Sequence, residues 1–265
     1  MRARDHLELR RNPDGGFGPV MGSTSEPEAT ALAGVALGDR DAAAWLEESQ
    51  AADGSIGMRA GSVFRDVTAL ACLAMVTPAA VGSAVGWVRG SLARSEPSTD
   101  ELPHDPSRGW GWTRGTFGWV EPTAWGVLAL RTFDGPSGSL DDGIAMLTAR
   151  ECVGGGWNYG TREVLGESLP PFVQTTAVAL IALHGLDLAI VDRGIEWLDR
   201  AWRREADGLL STAVSAVALS LYGTRASRAA VAAVEEHPDT AGADTGSLAW
   251  AHLALGDGLD RLEVT

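Results

Sequence analysis

The chain contains no lysine; all 21 of its basic residues are arginine. That absence removes Schiff-base chemistry and the phosphate-gripping lysine of nucleotide-binding loops. Cysteine is almost absent, with only Cys72 and Cys152. There is therefore no disulfide framework and no Cys-x-x-Cys metal knuckle, which is the usage expected of a reducing compartment. No apolar run approaches the ~18 residues of a membrane-spanning helix, and the first dozen residues have no apolar signal segment. A cytoplasmic protein with no transmembrane segment is expected. The basic residues are outnumbered by 35 acidic ones, for a net charge of -14. That balance argues against nucleic acid or an anionic membrane as partner, because both need a basic face.

What the chain does have is an internal repeat. Octets at 30–37, 68–75, 123–130 and 176–183 align without gaps and open Thr30-Ala31, Thr68-Ala69, Thr123-Ala124 and Thr176-Ala177. Looser copies at 215–222 and 248–255 keep alanine in the second slot. Each octet is apolar nearly all round, as in a helix buried on every side. Between them lie amphipathic segments at 2–12, 40–51, 80–95, 140–151, 190–204 and 225–236, with charge on one face and residues such as Trp45, Trp87, Met146 and Trp197 on the other. Alternation of this kind at a spacing of roughly 20–50 residues marks an array or ring of one supersecondary unit. The reading is all-α: one domain over 1–265, with six inner and six outer helices closed into an α/α toroid. Glycine clusters at Gly15-Gly16, Gly54, Gly109-Trp110-Gly111-Trp112, Gly154-Gly155-Gly156 and Gly208 separate outer from inner segments. They are expected to close the outer helices as left-handed C-caps, with the following aromatic packed back on the last turn.

Residues 45–57, with Trp45, Gln50 and Gly54, resemble the QW repeat of squalene-hopene and oxidosqualene cyclases. Residues 154–160, Gln174-Thr175-Thr176-Ala177 and Glu121-Pro122-Thr123-Ala124-Trp125 resemble further copies. The likeness runs over essentially the whole chain and extends to the β subunits of protein prenyltransferases, which share the toroid. It implies an isoprenoid-like apolar ligand and a possible second protein subunit completing the site. In the cyclases a DxDD motif followed by Thr-Ala supplies the catalytic acid. Here the matching stretch is Phe64-Arg65-Asp66-Val67-Thr68-Ala69, in which Asp66 alone matches.

Two positions before each octet stand Glu28, Asp66, Glu121, Gln174, Ala213 and Gly246, sharing a helix face with the third and sixth octet slots. If that face looks inward, the lumen is an apolar tube. Trp125 and Trp250 stand in its wall, Gln174 and Glu28 contact the ligand, and three carboxylates ring one mouth. Asp66 and Glu121 are the candidate acids for protonating an alkene, and the indoles are candidates for steadying a carbocation. N-capping of the helices is the competing role for all three carboxylates.

Arg65, Arg108 and Arg114 are the cations available near the mouth. A zinc set of the prenyltransferase kind has only the weak candidates Cys72 and His252, which share the fifth octet slot. No cofactor is expected, with zinc or magnesium held as the exception. Two other classes compete with the cyclase-like enzyme. One is a non-catalytic toroid serving as a binding or assembly module; the other is a carbohydrate-active α/α barrel using the carboxylates as an acid/base set.

Overall fold

The first four repeats open with one hydrogen-bonded latch, and the latch explains their threonine. The hydroxyl accepts from the backbone N–H, and donates to the carbonyl, of a large residue just after the preceding turn. Thr30 pairs with Phe17 at 2.9 and 3.3 Å, and Thr68 with Ile56 at 2.8 and 3.1 Å. Thr123 pairs with Trp110 at 3.0 and 3.4 Å, and Thr176 with Trp157 at 2.9 and 3.2 Å. All four large residues are buried. The two indoles also donate to Val88 and Leu147 carbonyls at 2.8 and 2.7 Å, in helix last turns that otherwise leave acceptors unpaired. One wedge thus closes a helix and anchors the start of the next.

The computed structural model describes residues 2–60, 63–94, 107–113, 116–205, 207–256 and 258–264. Among these the chain is mostly helical, with twelve α-helices. The odd-numbered set is α1 (Ala3–Glu8), α3 (Arg40–Glu48), α5 (Pro78–Gly90), α7 (Gly138–Ala149), α9 (Ala189–Glu205) and α11 (Ser227–Glu235). The even-numbered set holds the repeats: α2 (Pro27–Leu37), α4 (Thr68–Ala74), α6 (Val120–Phe133), α8 (Val173–Leu183), α10 (Leu209–Leu221) and α12 (Thr245–Ala254). In α8 every residue but Gln174 is buried, whereas α9 buries Ile190, Val191, Gly194, Leu198, Ala201 and Trp202 on one face and shows its charges on the other.

The even helices pack in the order α2, α4, α6, α8, α10, α12, and α12 packs against α2. That last contact is stitched by bonds between distant parts of the chain. Arg10 Nη2 donates to the Ala243 carbonyl at 2.7 Å, the Thr245 N–H to the Pro19 carbonyl at 2.8 Å, and Arg261 Nη1 to the Ala36 carbonyl at 2.9 Å. No described helix is long and apolar enough to cross a membrane.

Three expectations need correction. The glycine clusters do not cap the odd helices, which end instead at Leu9, Ser49 and Arg150 with right-handed or intermediate backbone. The glycines sit a few residues later in a repeated tight turn, seen at Ala51 N–H to the Ser55 carbonyl (2.9 Å) and Gly54 N–H to the Ala51 carbonyl (2.9 Å). Gly54 has φ +89°, and a Cβ there would lie 2.3 Å from the Ser83 carbonyl oxygen of α5, so only glycine fits.

The second correction is the fifth repeat. Its register is Thr212-Ala213-Val214-Ser215-Ala216-Val217-Ala218-Leu219, three residues before the octet taken from the sequence. The third is a set of antiparallel hairpins that periodicity did not foresee. They are β1 (Gly57–Ala60) with β2 (Val63–Asp66), β3 (Ala93–Arg94) with β4 (Arg108–Gly109), and β5 (Glu163–Val164) with β6 (Glu167–Ser168).

Candidate functional site

The first turns of α2, α6, α8, α10 and α12 gather around one mouth, where a cavity of about 290 Å³ opens. Its wall is apolar at Leu32, Val178, Leu210, Val214 and Trp250, and its rim is polar at Glu26, Glu28, Glu121, Gln174 and Asp244. Glu28, Glu121, Gln174 and Trp250 are therefore brought together as the shared-face argument requires. Helix α10 presents Leu210 and Val214 rather than the expected Ala213 and Val217, a direct result of the corrected register. The Thr-Ala pair at 212–213 was the signal that marked it.

Glu121 lies in the first turn of α6, with Pro122 behind it and the wedge Trp110 latched beneath. Burial, reinforced by the negative charge of Glu28, pushes its carboxyl up to about 7, against the opposing pull of Arg65 and a hydrogen bond with Trp125. Glu28 is likewise raised by burial, and the Arg65 guanidinium opposes that shift. The Arg65 Nη2 to Glu28 Oε1 distance is 2.8 Å. Arg65 also lies 4.6 Å over the Trp112 ring, on a strand tied to the neighbouring segment by the Asp66 N–H to Trp112 carbonyl bond of 2.9 Å. Gln174 is braced from below, its Nε2 donating to Ser211 Oγ at 2.9 Å.

Asp66 occupies the same sequence slot as Glu121 and a different place. It ends β2 instead of entering the first turn of a helix, because α4 starts only at Thr68. Its Oδ1 accepts from the Thr68 N–H at 2.9 Å and the Thr68 hydroxyl at 2.6 Å, and its Oδ2 accepts from Trp87 Nε1 at 2.7 Å. Both carboxylate oxygens are engaged. Asp66 lines a separate chamber of about 30 Å³ with Leu70, Trp110, Trp112 and Trp125.

Trp125 and Trp250 do more than stand in a wall. Helices α6 and α12 are not neighbours in the packing order, yet the two indoles meet with centroids 6.0 Å apart and planes 28° from parallel. The rings therefore bridge two helices that are not packed side by side, and both are buried, at 6% and 4% exposure. Three residues further along their helices, Val35, Leu128, Ile181, Val217 and Leu253 are buried and do not line the cavity. In place of the open tube expected from the sequence there is a cup lined by Trp250 alone of the two indoles, and Trp125 lines the chamber beside Asp66 instead.

The remaining candidates do not join the site. Cys72 is buried in α4, and burial pushes its thiol up to about 12. His252 is buried in α12, which is not adjacent to α4 in the packing order. Among the described residues no three His, Cys, Asp or Glu side chains gather as a metal-binding group. Arg108 reaches Asp142 of α7 at 3.0 Å rather than the mouth, and Arg114 lies outside the described residues.

Among solved structures, the chain is similar to the type II terpene cyclase MstE from Scytonema in its apo form. The two are 15% identical, the match covers 89% of this chain and 79% of that one, and the TM-score is 0.56. At that identity the likeness shows a terpenoid cyclase-like fold alone. No family model matches the chain, and no curated protein does.

Proposed function

We propose that residues 1–265 form one closed α/α toroid, even helices inside and odd helices outside, that takes an isoprenoid-like apolar molecule into the cup. The contact of α12 with α2 supports closure, and the likeness to a terpene cyclase supports the ligand class. The observation that carries the reading is the placing of one acid and one indole in the same cavity: Glu121, with its carboxyl pushed up to about 7, and Trp250, whose ring stacks on Trp125.

In this proposal Glu121, not Asp66, is the proton donor. A carboxylic acid with that pKa keeps its proton through much of the neutral range. The alkene π pair takes the proton, forming a C–H bond and leaving a carbocation on the adjacent carbon. A second alkene of the same molecule attacks that cation and closes a ring. Loss of a proton from the final cation regenerates an alkene, so the net change is an isomerisation. Because the burial that retains the proton also makes Glu121 a weak acid, the rate depends on cation stabilisation over the Trp250 and Trp125 faces. Glu28, whose charged form Arg65 favours, is placed to accept the terminating proton. Asp66 holds the Thr68 N–H at the start of α4 and anchors Trp87.

Incubating the purified protein with farnesol, geranylgeraniol and squalene and analysing products by mass spectrometry tests the reading. Cyclised product that disappears in Glu121→Gln supports it, and the absence of product from the whole panel overturns catalysis. A second reading, the binding or assembly module, is favoured by the buried indole stack across the axis, which leaves the cup shallow. In that case the panel binds without turnover.

A further inference from the structure

The sixth-slot residues Val35, Leu128, Ile181, Val217 and Leu253, three residues further along their helices than the slot of the indoles, are buried, and none of them lines the cavity, so the cup ends at Trp250. From Gly246 at the rim to Trp250 at the floor is one helical turn of α12, or about 6 Å of rise. The volume of about 290 Å³ lies at the lower limit of small-molecule sites, roughly 300–1,000 Å³. Sideways, Trp125 stands between the cup and the chamber beside Asp66, for it lines that chamber while its ring stacks on the Trp250 of the cup. Glu28 lines both spaces and marks where they adjoin.

We infer that the Trp125–Trp250 stack is the specificity-determining partition of the site. Trp250 sets the depth of the cup and Trp125 shuts off the Asp66 chamber, so the ligand is a short isoprenoid and longer chains are excluded. This rests on the isoprenoid reading of the cup. The two indoles act in different directions. Removing the Trp250 ring deepens the cup along the axis toward Leu253, whereas removing the Trp125 ring joins it laterally to the space under Trp110 and Trp112.

The test is calorimetric binding of geraniol, farnesol and geranylgeraniol to the wild-type chain, Trp250→Ala and Trp125→Ala, with circular dichroism confirming helix content. The wild-type chain is expected to bind one of the two shorter alcohols about tenfold or more tighter than geranylgeraniol, the scale on which a pocket rejects excess methylenes. Each alanine variant is expected to shift that ratio about tenfold or more toward geranylgeraniol. If Trp250→Ala does not fold, Trp250→Leu keeps an apolar side chain on the axis, removes the stack, and should shift the ratio in the same direction. Binding by folded variants with the wild-type order of chain lengths overturns this inference and leaves the isoprenoid reading intact. Failure of all three proteins to bind any of the alcohols overturns the isoprenoid reading, and this inference with it.

Discussion

The second and third repeats carry acids at the same slot, Asp66 two residues before Thr68 and Glu121 two residues before Thr123, and the chain treats them oppositely. In the third repeat the helix begins at Val120, and Glu121 projects from its first turn into the cavity. In the second, the chain stays extended to Asp66, whose short side chain turns back on the N–H and hydroxyl of Thr68. Aspartate competes with the helix by bonding its own backbone two residues on; glutamate, one methylene longer, does not. One methylene thus separates an acid turned back on its own backbone from an acid facing the larger cavity.

The widest test of that contrast is catalytic. Glu121→Gln should lower any cyclising turnover by about 100-fold or more, the usual share of a general acid. Asp66→Asn should leave turnover within a few-fold of wild type, since the amide still caps the helix. Product assays on both variants decide it, and the reverse ranking would return the acid's role to Asp66.

Stability should rank the two the other way. Asp66→Ala removes acceptors for three donors and is expected to cost about 2–3 kcal/mol, a cap plus a charge-assisted bond. Chemical denaturation at neutral pH measures it, and a loss below that of an ordinary surface substitution would break the comparison.

The third test uses pH. The folded Glu121 carboxyl is pushed up to about 7 from the ordinary glutamate value of 4.5. Between those values the unfolded chain ionises while the folded one holds its proton, so this group destabilises the fold increasingly as pH rises through the window. Glu121→Gln removes the effect. Relative to wild type, the variant should gain about 1–3 kcal/mol on going from pH 4.5 to pH 7.5, read as a widening difference in denaturation midpoints. A constant difference across that range would mean that Glu121 is not proton-bearing at neutral pH.

The smallest effect concerns the latch that the two repeats share. Thr123→Val leaves the Trp110 N–H without its acceptor and should cost about 1 kcal/mol. Thr68→Val should cost somewhat more, because the one hydroxyl proton of Thr68 has the Asp66 carboxylate as its nearer acceptor, at 2.6 Å against 3.1 Å to the Ile56 carbonyl. Equal losses would mean that the Asp66 bond adds nothing.

Much of this architecture was legible in the sequence, and the failures have physical causes. Helices α4, α6, α8 and α12 lie where the octets place them, because an all-round apolar stretch has few alternatives to a buried helix. The fifth octet slipped by three residues because serine at 215 was matched to the latch position, although Thr212-Ala213 with Ala218-Leu219 fits the pattern better. The Asp66 turn had a local signal: the second repeat alone among the four threonine-led octets has both aspartate and a β-branched and aromatic run, Val63-Phe64, before it. The meeting of Trp125 and Trp250 had none, since contact between helices that are not packed side by side depends on how the intervening helices are spaced, which no local pattern encodes. The clasp of Arg65 on Glu28 is similarly nonlocal, carried by a hairpin that helical periodicity does not reveal.

The bonds that flank the contact of α12 with α2 bear on the order of folding. Most of the helix contacts link elements close in the chain, and each forms after a short loop closes. The Arg10–Ala243 bond joins residues 233 positions apart, and loop-closure entropy grows with the logarithm of that span. The seam is therefore the last junction to form and the first to open. Slow amide exchange should be concentrated in α6 and α8, on the far side from the seam, while α1 and α12 exchange by local opening long before the chain unfolds as a whole.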